Sequence, residues 1–212
     1  MLSREKPALD FENQYYSDSI NLIVGCDEAG RGPLAGPVVA AAVIFPRAYI
    51  NKNINDSKQL SAKKRDELFD EIKENAIAVG VGIVDAETID KINIYEASRL
   101  AMKLAIKDMN HQYDLVLTDC MPIKDLDAEV IPIVKGDAKA LCIAAASIIA
   151  KVTRDRMMDE LDKKYPEYGF KKHKGYGTKA HMEALEKYGP IKGIHRFSYK
   201  PIYDLEHFIP LF

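Results

Sequence analysis

Apolar and polar positions fall into short blocks along the first part of the chain, and these predict strands before they predict helices. Residues 22–26 and 38–45 are apolar, β-rich runs, and residues 76–84 read as a third strand carrying Gly80 and Gly82. Helical spacing takes over between and after them. Ser61 has the character of an N-cap for a charged helix reaching Asn75, and residues 94–109 repeat apolar positions every three or four places. Strand patterning returns at residues 114–118, running into Asp119, and again at 130–134. Gly136-Asp137 is expected to open a long helix toward Lys164, and a last helix covers residues 178–188 before Gly189-Pro190. Strands followed by alternating helix and strand predict an α/β domain with a mixed sheet.

Composition narrows the class. A chain of 212 residues with 47% hydrophobic content can bury a substantial core, and its net charge of −2 fits a soluble globular protein. The longest apolar run, 140–150, is short of the roughly 20 residues that span a bilayer, and no signal-peptide pattern opens the chain, so the cytoplasm is the expected compartment. Cys26, Cys120 and Cys142 lack metal-binding or paired spacing and read as reduced core residues.

Charge is unevenly spread. Residues 1–150 carry 17 Lys and Arg against 23 Asp and Glu, whereas 151–212 carry 13 against 9. Between Lys163 and Lys200 ten basic residues face three acids, with three histidines and with Tyr165, Tyr168, Phe170, Tyr176, Phe197 and Tyr199 interleaved. That composition suits a phosphate backbone, although a solvated helical face has the same charge. The predicted division is a catalytic core over 1–160, including an N-terminal extension over 1–20, and a basic extension over 161–212 packed on it.

The candidate chemistry lies at strand ends. Asp27 and Glu28 stand where the first apolar run meets Ala29-Gly30-Arg31-Gly32-Pro33, Asp119 ends a second strand, and Asp137 follows a third. Ligands of open α/β sheets gather at such ends. Adjacent carboxylates repel unless a cation or proton intervenes, and four oxygen donors without a Cys/His cluster favour Mg2+ or Mn2+ over zinc. Four negative charges would balance two divalent ions, the arrangement of many nucleases. Read singly, Asp137 could be a helix cap, Asp119 a turn residue, and the glycines a tight turn.

Gly25-Cys26-Asp27-Glu28-Ala29-Gly30-Arg31-Gly32-Pro33-Leu34-Ala35-Gly36-Pro37-Val38 resembles the opening motif of ribonuclease HII. Asp56-Ser57-Lys58-Gln59-Leu60, Lys135-Gly136-Asp137, the stretch 144–155, and Tyr168-Gly169-Phe170 with His173-Lys174-Gly175-Tyr176-Gly177-Thr178 follow in that family's order. The resemblance implies a ribonuclease H-like mixed β-sheet flanked by helices, with a basic helical C-terminal extension. It implies metal-dependent cutting of the RNA strand in RNA/DNA hybrids, and nicking 5′ of ribonucleotides embedded in duplex DNA, giving 3′-hydroxyl and 5′-phosphate ends. The family's catalytic and metal-holding acids map onto Asp27, Glu28, Asp119 and Asp137. Gly30, Arg31 and Gly32 resemble its reader of the 2′-OH and adjacent phosphate, and Tyr176 the residue that packs on the sugar.

Lys171, Lys172 and Lys174 are then expected on substrate phosphates and Lys58 either on a phosphate or serving a capping loop, whereas Lys139 is open and Arg154 reads as structural. The sister enzyme ribonuclease HIII is expected to carry a glutamate at the fourth acid and an N-terminal substrate-binding domain. Asp137 and the short stretch before the first strand favour HII, with an HIII-like hybrid-specific enzyme as alternative. The apolar residues 209–212 either pack on the tail or bind a sliding clamp. A monomer is expected. Two further readings are a non-catalytic nucleic-acid-binding module and a Mg2+-dependent phosphatase, the second of which leaves the basic tail unexplained.

Overall fold

The computed structural model describes residues 9–207. Five strands, β1 (Ile23–Ala29), β2 (Val38–Ile44), β3 (Ala78–Val84), β4 (Leu115–Asp119) and β5 (Glu129–Ile133), form one sheet in the order β3-β2-β1-β4-β5. β1 pairs antiparallel with β2 and parallel with β4, so the sheet is mixed as expected. Helices α1 (Ala62–Asn75) and α3 (Leu141–Lys164) cover one face, and α2 (Ala86–Asp108) covers the other.

Alternation along the strands divides the core. Val24, Cys26, Ala40 and Ala42 face α2, while Ile23, Ala41, Val43 and Leu117 face the α1 and α3 side. The first ten residues of α3, from Leu141 to Ala150, are all buried, which explains why no amphipathic stripe marked them: a helix surrounded by protein is apolar all round.

Several boundaries differ from the sequence reading for local reasons. β1 continues through Asp27 and Glu28 to Ala29, because its pairing with β2 persists to Ala29 opposite Val39. α2 begins eight residues earlier than the periodicity indicated. Asn93 interrupts it at φ 66°, and its side-chain oxygen accepts the Tyr95 and Glu96 amides, so the periodic segment is the second of two joined helices. Gly136-Asp137 does not open the long helix. It forms a separate 3-10 turn, Gly136–Ala138, entered through Lys135 in the left-handed region. Cys26 and Cys142 are buried, but Cys120 is exposed because the chain leaves β4 through a left-handed residue at that position.

The start of α3 is capped from an unexpected quarter. Residues 11–15 form a 3-10 turn in which Glu12, 6% exposed, accepts the amides of Leu141 (3.0 Å) and Cys142 (3.1 Å). A carboxylate there satisfies orphan donors and meets the positive end of the helix. Glu12→Gln leaves only one acceptor oxygen for two amides and is expected to cost about 1–3 kcal/mol, read as a lower urea midpoint at unchanged slope. An unchanged midpoint would show that the two amides find other partners.

The C-terminal part packs on the loop at residues 30–37. Helices α4 (Phe170–His173), α5 (Lys179–Tyr188) and α6 (Lys200–His207) share an apolar cluster with Leu34, Ala35 and Met158 of α3. Backbone bonds from Leu34 to Gly175 and from Gly36 to Ile194, both 2.8 Å, stitch the two segments. No helix among the described residues is long and apolar enough to cross a membrane. Residues 209–212, the candidate clamp-binding tip, lie outside the described residues.

Candidate metal centre and nucleic-acid interface

Strand register assembles the acids. Cys26 lies beside Thr118 in the parallel β1–β4 pair, so one step along each strand brings Asp27 alongside Asp119 on the α3 side of the sheet. From β5 the chain turns back through Lys135 and delivers Asp137 to the same place. One carboxylate oxygen from each of Asp27, Asp119 and Asp137 lies within 4.8 Å of the others.

Glu28 stands apart from these three. As the next residue on the strand it turns the other way, and its Oε1 meets Arg31 Nη1 at 3.2 Å. Its Oε2 is buried and has no protein hydrogen-bond partner.

Each carboxylate is partly held by protein. Asp27 Oδ1 accepts the Glu28 amide at 2.8 Å, and Asp119 Oδ1 accepts the Gly136 amide at 2.8 Å. The Ser147 hydroxyl also serves Asp27, and it is itself paired with Ser57 at 2.7 Å. Lys58 Nζ, at the end of an exposed side chain, lies 3.6 Å from Asp137 Oδ2.

The electrostatics are those of an unneutralised acidic site. Burial, then the charges of Glu28 and Asp119, pushes the Asp27 carboxyl well above the usual range. Asp137 is raised by burial and by Asp119 and Asp56, against the opposing Lys58. Glu28 is raised by burial in spite of Arg31. Three converging hard oxygen donors fit a divalent cation of the magnesium or manganese type, and Glu28, the residue after Asp27, carries a further buried oxygen without a protein partner.

The other residues expected at the site divide into three groups. Gly30, Arg31 and Gly32 lead directly away from β1, and the Tyr176 ring lies over Gly32: a Cβ built on Gly32 would sit 3.5 Å from it. Lys171 and Lys172 are exposed on α4, free to meet an anion. Lys174 is committed internally, with Nζ ion-paired to Asp159 and donating to the Asp155 carbonyl. Lys139 sits over the Phe11 ring at 5.9 Å. Arg154 is a structural residue, buried and donating to three backbone carbonyls.

Two features escaped the sequence reading. Arg196 is fully buried beneath the glycine loop, and His181 and His195 form a buried pair with Nε2 atoms 3.2 Å apart. Only the interleaving of these residues among tyrosines hinted at either. The partners fix the tautomers. His181 Nδ1 must donate to the Tyr176 carbonyl (3.0 Å) and His195 Nδ1 must accept the Ile191 amide (2.8 Å), so His195 Nε2 donates to His181 Nε2.

Both rings are neutral, and burial lowers each pKa to about 4. In the unfolded chain they take up protons near pH 6.5, whereas the folded protein resists until about pH 4. Their contribution to stability is therefore complete above pH 6.5 and is lost as pH falls through about 4. The expected loss is on the order of 3 kcal/mol for each ring, and His195→Gln should flatten this part of the stability profile measured by urea titration at stepped pH. An identical slope in the variant would assign the acid sensitivity to other groups.

Comparison with known proteins adds a lineage to this geometry. A family model described as ribonuclease HII matches residues 24–202. A ribonuclease HII of Acetivibrio thermocellus is 55% identical over 189 residues, covering 89% of this chain and 73% of the relative. The crystal structure of ribonuclease H2 from Pyrococcus horikoshii superposes with a TM-score of 0.74 at 29% identity, over 87% of this chain and 97% of that one. The RNase HII of a PCNA:RNase HII complex from Archaeoglobus fulgidus superposes with a TM-score of 0.69 at 27% identity, over 84% and 95% of the two chains.

Proposed function

The chain belongs to the ribonuclease HII family, a metal-dependent endoribonuclease acting on RNA/DNA hybrids, and from that premise we propose that it also nicks duplex DNA on the 5′ side of an embedded ribonucleotide, leaving 3′-hydroxyl and 5′-phosphate ends. The observation that carries this reading is the meeting of Asp27 and Asp119, on adjacent parallel strands, with Asp137 of the 3-10 turn after β5, one oxygen of each within 4.8 Å of the others. These three, with Glu28, would hold two Mg2+ or Mn2+ ions. When bound, such ions activate a water at phosphorus and stabilise the leaving oxygen.

The chain's own residues position the substrate. Gly30-Arg31-Gly32 takes the 2′-OH and the adjacent phosphate, since a 2′-OH is what distinguishes RNA from DNA and glycines admit a sugar closely. Gly32 supports this assignment: a Cβ there would make only ordinary contact with the Tyr176 ring, so no internal clash demands a glycine. Tyr176, 47% exposed, packs against the sugar at the junction. Lys58, Lys171 and Lys172 bind phosphates from the exposed side of 161–212 and of the loop before α1, and Lys174 contributes by fixing α4 rather than by direct contact. Binding should weaken steeply with salt.

The protein is proposed to act as a monomer. The Archaeoglobus complex makes PCNA the partner class to try for residues 209–212.

The test is cleavage of an end-labelled DNA duplex carrying one ribonucleotide, with Mg2+, Mn2+ or EDTA, beside an all-DNA control. A metal-dependent nick on the 5′ side of the ribonucleotide is expected. Cleavage of continuous hybrid without any nick at the single ribonucleotide would restrict the enzyme to hybrids, as in the HIII-like alternative.

A further inference from the structure

The loop at residues 30–37 is gripped from inside by two buried arginines whose partners are all neutral. Arg196, 0% exposed, spends five N–H groups on it and on one hydroxyl. Nη2 donates to the carbonyls of Gly30 (2.6 Å) and Gly36 (2.9 Å), Nε to Gly36 (3.1 Å), and Nη1 to the Arg31 carbonyl and the Tyr199 hydroxyl, both at 2.9 Å. Tyr199 in turn donates to the Arg31 carbonyl at 2.5 Å. Arg154 takes the carbonyls of Ala35 (3.0 Å) and Pro37 (2.9 Å), and its Nε would lie 2.1 Å from a Cβ on Gly30.

Burying a guanidinium against carbonyls alone is costly, and a carboxylate is its ordinary partner. The geometry gives a reason for it here. In a trans peptide the C=O of one residue and the N–H of the next point in opposite directions. Drawing the Gly30 and Arg31 carbonyls inward therefore turns the amides of Arg31 and Gly32 outward. Those amides donate to no backbone acceptor among the described residues, whereas Leu34 and Gly36 in the same loop donate to Gly175 and Ile194.

We propose that Arg196, with Tyr199, is a positioning residue for ribonucleotide recognition: it holds the carbonyl side of Gly30-Arg31-Gly32 so that the Arg31 and Gly32 amides face the 2′-OH and its phosphate. This rests on the reading of Gly30-Arg31-Gly32 as the 2′-OH reader. Arg196 touches no substrate and acts through the loop. Its positive charge, hydrogen-bonded only to neutral groups, lies behind two outward amides and adds to their attraction for an anion. A lysine keeps the charge but has three donors, which cannot reproduce the planar fork.

The test compares wild type, Arg196→Lys and Tyr199→Phe. It measures KM and kcat for a duplex with one ribonucleotide, the inhibition constant of the matching all-DNA duplex, and the melting temperature. Discrimination is the ratio of the all-DNA inhibition constant to KM. Tyr199→Phe is expected to lower that ratio about threefold and Arg196→Lys about tenfold, because KM rises by that much more than the all-DNA inhibition constant, which loses only the shared phosphate contact. A purely structural role would instead raise both constants together or lower only the melting temperature, and either result overturns the proposal. If Arg196→Lys does not fold, Tyr199→Phe decides, and an unchanged ratio in it refutes the clamp. A wild-type ratio near one would sink the reader itself, an outcome separate from a discriminating wild type whose variants discriminate equally well.

Discussion

Asp27→Asn is expected to lower cleavage by roughly a thousandfold while making the metal-free protein more stable. Asp27 is 6% exposed and lies beside Glu28 and Asp119, so in the absence of a cation its charge is both desolvated and repelled. Asparagine retains an oxygen in the place where Oδ1 accepts the Glu28 amide, which leaves the local fold intact. What it loses is the charge that a divalent ion requires. Metal-assisted charge stabilisation is worth several kcal/mol, and each 1.36 kcal/mol is a factor of ten in rate, so about three decades is the scale of the loss. Removing a buried, repelled carboxylate should add about 1–2 kcal/mol, the usual size of a stability gain made at the expense of an active site. The pair of measurements is the nicking rate with Mg2+ and thermal melting in EDTA. A variant that still cuts within tenfold of wild type, or that melts lower in EDTA, contradicts this account of the site.

Gly25→Ala is the substitution expected to damage the fold most. Gly25 lies on β1, two residues before Asp27, where the strand and the first turn of α3 touch through backbone atoms. A Cβ there would stand 2.2 Å from the Cys142 carbonyl carbon and 2.4 Å from the Ile143 nitrogen. Neither atom belongs to a side chain that could rotate away. α3 would have to move off the sheet, opening the packing of Ile143 and its neighbours, at a cost on the order of 3–5 kcal/mol. Activity should fall too, because α3 carries Ser147 against Asp27. Circular dichroism through a urea titration measures the effect. A loss below about 1 kcal/mol would mean that the strand and helix are not held at this distance.

These two positions also show which parts of the molecule were legible beforehand. Asp27 announced itself, since two adjacent acids at the end of an apolar run have few structural uses. Gly25 was visible only as one letter of a motif, because nothing in a sequence says which backbone will pass within 4 Å of a strand. Glu12 was less visible still. It caps α3 from 129 residues away, and a cap so distant leaves no local pattern. The same applies to Arg196, whose partners Gly30 and Arg31 lie more than 160 residues earlier.

Local chemistry, by itself, placed the five strands, α1 and α5 and singled out the candidate acids, whereas α4, α6 and the first two turns of α2 were not anticipated. The Ser61 cap stands where expected, with its side chain accepting from Lys64, because a cap depends on residues three positions apart. The strands were placed within a few residues for the same reason, pleat periodicity being a property of neighbours. Convergence was decided by tertiary structure. Parallel register brought Asp27 to Asp119, the left-handed turn at Lys135 brought Asp137 to both, and strand alternation turned Glu28 toward Arg31 instead. Each of these depends on which strand lies beside which, and that pairing is set by burial of the whole core rather than by any segment of the chain.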